Sequence, residues 1–446
     1  MSIIFPENLL PRTLLPTIIP FLEPENIVLL TGARQTGKTS LLYLLMGHLL
    51  NHAISPSQIV YFDLENIHDF NLLNSLEDFN LFMEVLKDKG VDRQKRVFVF
   101  IDEVQHLDNP SPFLKYLHDH YKPRLKFIVT GSSSLEIRKK FTDRLTGRVY
   151  RFVVKPLSFL EFLGFKNEKA LAKALSVFNL RFWLSADRPE EAFSNLPESQ
   201  KRRLDDLVRD YMMFGGYPAV SLRENALIRQ RDLQEIYSLY VRRDIRDIGE
   251  IDDASGYNKL VSLLSLQVGS LVKEQELALS SGLSRPTVKK YLFLLENTYV
   301  LRLVSPYFTN KRTELTKTRK VFFEDVGLRN GVVNDFNVVT QRTDGGAILE
   351  NFVFSQLTKE NDFAQKVRYW RNQAKNEVDF VWQENINEPY PIEVKLKYPR
   401  KQSFPPGLKS FIRMYHPSKG FIIHLGEFSI SNFKRTKIYH IPPWAI

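Results

Sequence analysis

Thr31-Gly32-Ala33-Arg34-Gln35-Thr36-Gly37-Lys38-Thr39-Ser40 lies between two apolar runs, Ile27-Val28-Leu29-Leu30 and Leu41-Leu42-Tyr43-Leu44-Leu45. The order reads strand, glycine loop, helix. From Gly32 to Thr39 the loop fits G-x-x-x-x-G-K-[ST] in full. Glycine permits backbone angles that a side chain forbids. Successive N–H groups can then turn inward as an anion nest, and the helix starting near Lys38 adds its positive end. The expected ligands are ATP and Mg²⁺. Residues Gly32, Ala33, Arg34, Gln35, Thr36, Gly37, Lys38, Thr39 and Ser40 would surround the phosphates. Lys38 would reach the β- and γ-phosphates, and the Thr39 hydroxyl would hold the metal. The alternative is a glycine-rich turn with no ligand, which the flanking strand and helix disfavour.

Working outward, the second requirement of such a site is a buried strand ending in acid. Arg96-Val97-Phe98-Val99-Phe100-Ile101-Asp102-Glu103 supplies it. Ligands bind at the carboxyl ends of parallel strands, so this strand end must meet the loop. Asp102 would hold Mg²⁺ directly or through its water, and Glu103 would orient and deprotonate the attacking water; the alternative is a helix cap in an ordinary α/β domain. Ile59 to Leu64 is a further strand. Leu125 to Thr130 is another, running into Gly131-Ser132-Ser133-Ser134. Thr130 and Ser132 are candidate sensors of the γ-phosphate or the lytic water, with a serine-rich helix cap as the alternative. Arg144, Arg148 and Arg151 surround Gly147. Arg148 is the first candidate for an arginine finger reaching a neighbouring subunit's ATP; the alternative is ordinary ion pairing. A homo-oligomer is expected if that arginine comes from a neighbour.

These motifs carry a resemblance. Gly-Ala-Arg-Gln-Thr-Gly-Lys-Thr, Phe-Ile-Asp-Glu-Val-Gln, Thr-Gly-Ser-Ser-Ser, Leu-Thr-Gly-Arg and Lys-Pro-Leu-Ser-Phe-Leu-Glu-Phe (155–162) occur in one order. In this the chain resembles the archaeal-type AAA+ ATPases of bacteria and archaea that carry an uncharacterised C-terminal domain. The resemblance covers nearly the whole chain, includes the turn Phe214-Gly215-Gly216-Tyr217-Pro218, and assigns Lys38, Thr39, Asp102 and Glu103 the roles above.

Bulk composition sets outer bounds. The chain has 446 residues, 43% of them apolar, and no cysteine. Disulfides and thiolate metal sites are excluded, which suits a reducing cytoplasm. No apolar run reaches the ~18 residues that span a bilayer, so no membrane partner is expected. Met1 to Glu7 lacks the basic start of a signal peptide. The formal charge of +11 favours polyanion partners.

Beyond residue 164 the reading becomes modular. Residues 165–250 are expected to be helical, and Arg242 or Arg243 would reach a nucleotide or pair internally. Leu260 to Val268, Glu274 to Leu279 and Ser284 to Tyr291 suggest three helices, with Ser284 as N-cap and Pro286 in the first turn. A glycine turn followed by a helix bearing Arg285, Thr287, Lys289 and Lys290 makes a helix-turn-helix, and Tyr299 to Tyr307 suggests its wing. Residues 251–320 hold 11 Lys and Arg against 6 Asp and Glu. Lys311, Arg312, Lys317, Arg319 and Lys320 are candidate phosphate contacts, so DNA is the expected partner; a protein partner docked on the same module is the alternative.

The last part holds a different constellation. Glu350 lies on an apolar helix, Asp379 on one strand, and Glu393 and Lys395 on the next, where alternate residues share a face. Three carboxylates converging beside a lysine suit Mg²⁺, with Lys395 positioning or activating water. This resembles the PD-(D/E)xK nuclease superfamily; an inactive nuclease-like module or a plain Lys–Glu pair are the alternatives. The expected fold is therefore α/β: a P-loop AAA+ ATPase core (1–164), a helical region (165–250), a winged-helix module (251–318) and a C-terminal restriction-endonuclease-like domain (319–446). The expected function is ATP hydrolysis coupled to binding or cutting DNA, against an ATP-driven switch or remodelling factor that cuts nothing.

Overall fold

The computed structural model describes residues 5–92, 94–131, 145–239, 253–308, 318–359, 367–383, 388–397 and 403–446. The chain forms two compact units, Met1–Lys155 and Pro156–Ile446.

In the first unit, five apolar runs become β1 (Ile27–Thr31), β2 (Ile59–Asp63), β3 (Val97–Asp102), β4 (Leu125–Gly131) and β5 (Val149–Val153). Their order is β2-β3-β4-β1-β5, and every neighbouring pair is parallel. Unbroken apolar strands need cover on both faces. The two-residue period divides them accordingly. Val28, Leu30, Phe98, Phe100 and Ile128 pack against Leu41, Leu42, Leu45 and Met46 of helix α1 (Lys38–Asn51). Ile27, Leu29, Val97, Val99 and Ile101 pack against Phe113, Leu114 and Leu117 of helix α2 (Pro110–Tyr121). Parallel pairing sends the carboxyl ends of β1, β3 and β4 to one edge of the sheet. Between β2 and β3 the chain forms two helices, Ile67–Asn74 and Phe82–Asp88, with a 3₁₀ turn between them.

In the second unit, helix α3 (Phe159–Phe165) starts at a capping box in which Ser158 and Glu161 satisfy each other's backbone N–H groups. Helix α4 (Glu198–Phe214) follows. Helices α5 (Ala254–Leu266), α6 (Glu274–Ser281) and α7 (Arg285–Asn297) come next. Gly282 ends α6 at φ 77°, and the Ser284 side chain caps α7 by accepting from Thr287 N. Strand β6 (Leu301–Val304) then pairs antiparallel with β7 (Lys320–Phe323), across residue 318 where the sequence suggests a domain limit. After α8 (Val326–Val333) and α9 (Gly345–Lys359) comes a six-stranded mixed sheet. Its strands are β8 (Val367–Arg371), β9 (Glu377–Gln383), β10 (Pro389–Val394), β11 (Lys419–Ile423), β12 (Ser429–Phe433) and β13 (Thr436–Ile441), in the order β12-β13-β11-β10-β9-β8. Helix α10 (Pro406–Tyr415) covers it, with Phe411 on Trp370, Val378 and Val381.

The Asn351 side chain on α9 accepts from Phe323 N at 2.8 Å and donates to Phe323 O at 3.0 Å. This amide clamp sets α9 against β7 and so brings Glu350 beside Lys320.

Candidate nucleotide site and a buried carboxylate cluster

The phosphate-loop residues are set by backbone geometry at three points. Gln35 takes φ 60° and Gly37 φ 90°. A Cβ on Gly32 would stand 2.2 Å from Val154 O, so only glycine fits against the exit of β5. Lys38, the first residue of α1, is 5% exposed. Its ammonium donates to Gly32 O at 3.3 Å and Ala33 O at 3.1 Å, and lies 3.7 Å from Glu103 Oε1. Burial holds its pKa below the ordinary lysine value, with Glu103 and Asp102 opposing that shift. Thr36 Oγ1 donates to Ala33 O at 2.8 Å, while Arg34 and Ser40 are exposed.

Thr39 Oγ1 donates to Asp102 Oδ2 at 2.6 Å. Loop and acid-tipped strand therefore meet at the hydroxyl and carboxylate that the sequence singles out for metal. Asp102 is 3% exposed, and burial raises its pKa although hydrogen bonds from Thr130 and Thr39 oppose this. Thr130 Oγ1 donates to Asp102 Oδ1 and accepts from Glu103 N at 2.8 Å. Thr130 is thus buried as a brace for both acids. Glu103 adopts φ 53°, a left-handed conformation costing a non-glycine residue ~1–2 kcal/mol, and its carboxylate accepts from Gln105 Nε2. Ser132 and Arg144 lie outside the described residues.

Arg148 stands elsewhere. Its carbonyl accepts from Ile27 N at 2.8 Å, at the amino end of the sheet, opposite the phosphate loop. Its guanidinium grips Asp119 bidentately at 2.7 and 3.0 Å, and this fork pushes the Asp119 pKa down to about 2.

Motif reading misses two contributors here. Tyr61 Oη donates to Asp102 Oδ2 at 3.3 Å, and Arg12 donates to Thr36 O at 2.6 Å. Neither belongs to a spaced pattern; Tyr61 faces Asp102 because β2 pairs with β3 in register.

In the second unit, Glu350, Glu377, Asp379 and Glu393 face two lysines. Lys320 Nζ lies 2.6 Å from Glu377 Oε1 and 3.3 Å from Glu350 Oε1, and Lys395 Nζ lies 2.6 Å from Glu393 Oε1 and 3.9 Å from Asp379 Oδ2. Asp379 Oδ2 also accepts from Val394 N at 2.8 Å. Glu393 is 3% exposed, and its Oε2 is buried without a hydrogen-bond partner. Burial pushes the Glu350 and Glu393 carboxyls up to about 8, against the pull of Lys320 and Lys395 respectively.

Two expectations change. Among the described residues, no three His, Cys, Asp or Glu side chains are arranged to hold a metal ion; a lysine stands instead against one oxygen each of Glu350, Asp379 and Glu393. Lys320 is 2% exposed and committed to carboxylates, so it is no phosphate contact. The expected contacts Lys311, Arg312 and Lys317, and the pair Arg242 and Arg243, lie outside the described residues. Arg285 and Lys289 are exposed on α7, 2.9 and 3.6 Å from Glu274. Arg319 is 3.5 Å from Glu296.

Comparison with known proteins places three matches along the chain. Residues 24–163 match the family model of the AAA domain, residues 205–338 a domain of unknown function (DUF8612), and residues 345–444 another (DUF4143). An uncharacterized protein of Haemophilus influenzae is 25% identical over 350 residues, covering 77% of each chain. Another from Methanocaldococcus jannaschii is 25% identical over 372 residues, covering 81% of this chain and 73% of its own. Among solved structures, the Walker-type ATPase of Pyrococcus abyssi is similar at TM-score 0.46 and 15% identity, over 74% of this chain and 97% of that one. Cdc6p of Pyrobaculum aerophilum is similar at TM-score 0.30 and 12% identity, over 75% and 97%. The chain thus carries an AAA domain followed by two domains of unknown function.

Proposed function

We propose that this protein is a Mg²⁺-dependent ATPase whose C-terminal half engages DNA. The observation that carries the ATPase reading is the 2.6 Å bond between Thr39 Oγ1 and Asp102 Oδ2 beside the Lys38 ammonium. The donor set fits the ion: hard oxygen ligands, one from the loop and one from a strand end, suit Mg²⁺. Thr39 and Asp102 would hold it, and when bound it would supply positive charge against the β- and γ-phosphates. The rest falls to the chain's own groups. Backbone N–H groups from Gly32 to Ser40 bind phosphate oxygens, and Lys38 adds a buried positive charge. Glu103 is the base: its carboxylate must exchange Lys38 and Gln105 for a water. Catalysis of this kind rests on positioning and charge. Arg148 serves a neighbouring subunit only after releasing Asp119. The test is ATP turnover by wild type and Lys38→Ala on one preparation; equal rates would end this reading.

The DNA reading is supported by two short helices, α6 and α7, joined through the left-handed Gly282, with Arg285, Lys289 and Lys290 on the second. The pairs with Glu274 are exposed, and such pairs are weak, so phosphate can displace them. Binding should weaken linearly on a logarithmic salt scale. Arg285→Ala with Lys289→Ala should lower the slope by about 2, which fluorescence anisotropy at several salt concentrations reads. An unchanged slope favours a protein-docking module.

A second reading is metal-dependent phosphodiester cleavage, which requires the acids to exchange Lys320 and Lys395 for the ion; the orphaned Glu393 Oε2 and the excess of four carboxylates over two ammonium groups favour it. Its test is plasmid nicking with Mn²⁺, lost in Asp379→Ala while ATPase activity survives. Intact plasmid at every metal concentration would leave a non-cleaving switch or remodelling factor.

A further inference from the structure

We propose that Arg12 is a positioning residue for the nucleotide site and ties the phosphate loop to the point where the chain leaves the first unit. The proposal rests on the ATP reading above. Arg12 is 6% exposed. One arm of its guanidinium, Nη1, donates to Thr36 O at 2.6 Å; the other, Nη2, donates to Lys155 O at 2.7 Å. The Thr36 carbonyl and the Gly37 N–H belong to one planar trans peptide and point in opposite directions. A grip on the carbonyl from behind therefore aims the Gly37 N–H, at the first turn of α1.

The exit of β5 is fastened to the same loop. Val154 N donates to Thr31 O at 2.6 Å, Thr31 Oγ1 donates to Phe152 O at 3.4 Å, and the bare Cα of Gly32 lies against Val154 O. Arg12 extends that fastening to Lys155, the last residue of the unit. Pro156 follows, with its φ fixed and the residue before it restricted. Beyond it, the second unit holds Leu157 on both sides of its backbone. Leu157 N donates to Gly216 O at 2.7 Å, and Leu157 O accepts from Tyr211 Oη at 2.5 Å and Lys359 Nζ at 3.1 Å. One residue separates backbone held by the phosphate loop from backbone held by the second unit. A rearrangement of the loop around nucleotide passes through the rigid guanidinium plane to Lys155 and on to Leu157. Lysine, with one ammonium on a flexible stem, cannot replace a fork that spans two carbonyls.

Amide hydrogen exchange on the full chain tests this, with and without a non-hydrolysable ATP analogue and Mg²⁺, alongside a direct affinity measurement. In wild type, saturating analogue should change the exchange rate of the Leu157 amide by about threefold or more. Arg12→Lys should bind the analogue within about tenfold of wild type, the scale of one lost charge-assisted hydrogen bond, and should lose the Leu157 response. A full Leu157 response in saturated Arg12→Lys overturns the proposal. So does a wild type that binds analogue with no response at Leu157, a readout that needs no variant to fold. Failure of wild type to bind nucleotide at all would remove the ATP reading itself.

Discussion

At the residue scale, the chemistry proposed for the first unit falls to Lys38, Thr39, Asp102 and Glu103, whose tasks are separable. Glu103→Gln keeps the shape of the side chain and removes the proposed base. It should retain nucleotide affinity and lower turnover by roughly 10²–10⁴-fold, the usual worth of a positioned general base; single-turnover kinetics with a separate binding assay distinguish the two. Thr130→Val replaces a buried hydroxyl that serves both Asp102 and Glu103 N by a methyl. Leaving those groups short of a partner should cost about 1–3 kcal/mol of stability, measurable by chemical denaturation. A sensor role without a bracing role would spare stability and lower turnover alone.

Elements explain why these side chains meet. The phosphate loop is wedged between β1 and the exit of β5, where Gly32 has no room for a methyl group. Gly32→Ala should therefore disturb the loop more than the fold, weakening nucleotide binding while far-UV circular dichroism is preserved. Gly282 is a different case. It ends α6 at φ 77°, yet a Cβ there meets nothing within 4 Å. Its substitution by alanine should cost only the conformational penalty, about 1–2 kcal/mol, read as a shift in melting temperature. The two-residue period of β9 and β10, with the amide clamp of Asn351, brings Glu350 and Glu393 near Asp379.

For the whole molecule, the predictions concern linkage. A ligand held only by the folded first unit stabilises it by mass action, about 2.7 kcal/mol at a concentration one hundred times its Kd. Mg-ATP should thus raise a thermal transition in wild type and leave Lys38→Ala unmoved. The second unit should respond to pH. Glu350 and Glu393 are raised to about 8 in the folded chain from an ordinary 4.5. Between these values the native state binds more protons than the unfolded state, so stability should fall as pH rises from about 4.5 to about 8. Urea midpoints across that range check the sign. A divalent cation bound at the cluster would favour the ionised acids, so Mn²⁺ should stabilise more at pH 8.5 than at pH 6.5; equal shifts would speak against a metal there.

The amino-acid sequence determined the parallel core of the first unit, because uninterrupted apolar strands, a glycine loop and a strand ending in two acids are local patterns with one compact solution. It also marked Lys38, Thr39, Asp102 and Glu103, whose spacing is short and whose chemistry is specific. Only the tertiary structure decided the partners of those groups. Tyr61 and Thr130 reach Asp102 through strand register, Arg12 reaches Thr36 across 24 residues of chain and Lys155 across 143, and Arg148 is claimed by Asp119. The carboxylate cluster shows the same divide. Asp379, Glu393 and Lys395 follow a readable alternation that Glu377, two residues before Asp379 on β9, shares, but Lys320 joins them through packing of the distant β6–β7 pair, and a buried cation's partners are set by distance in space, which sequence spacing does not encode.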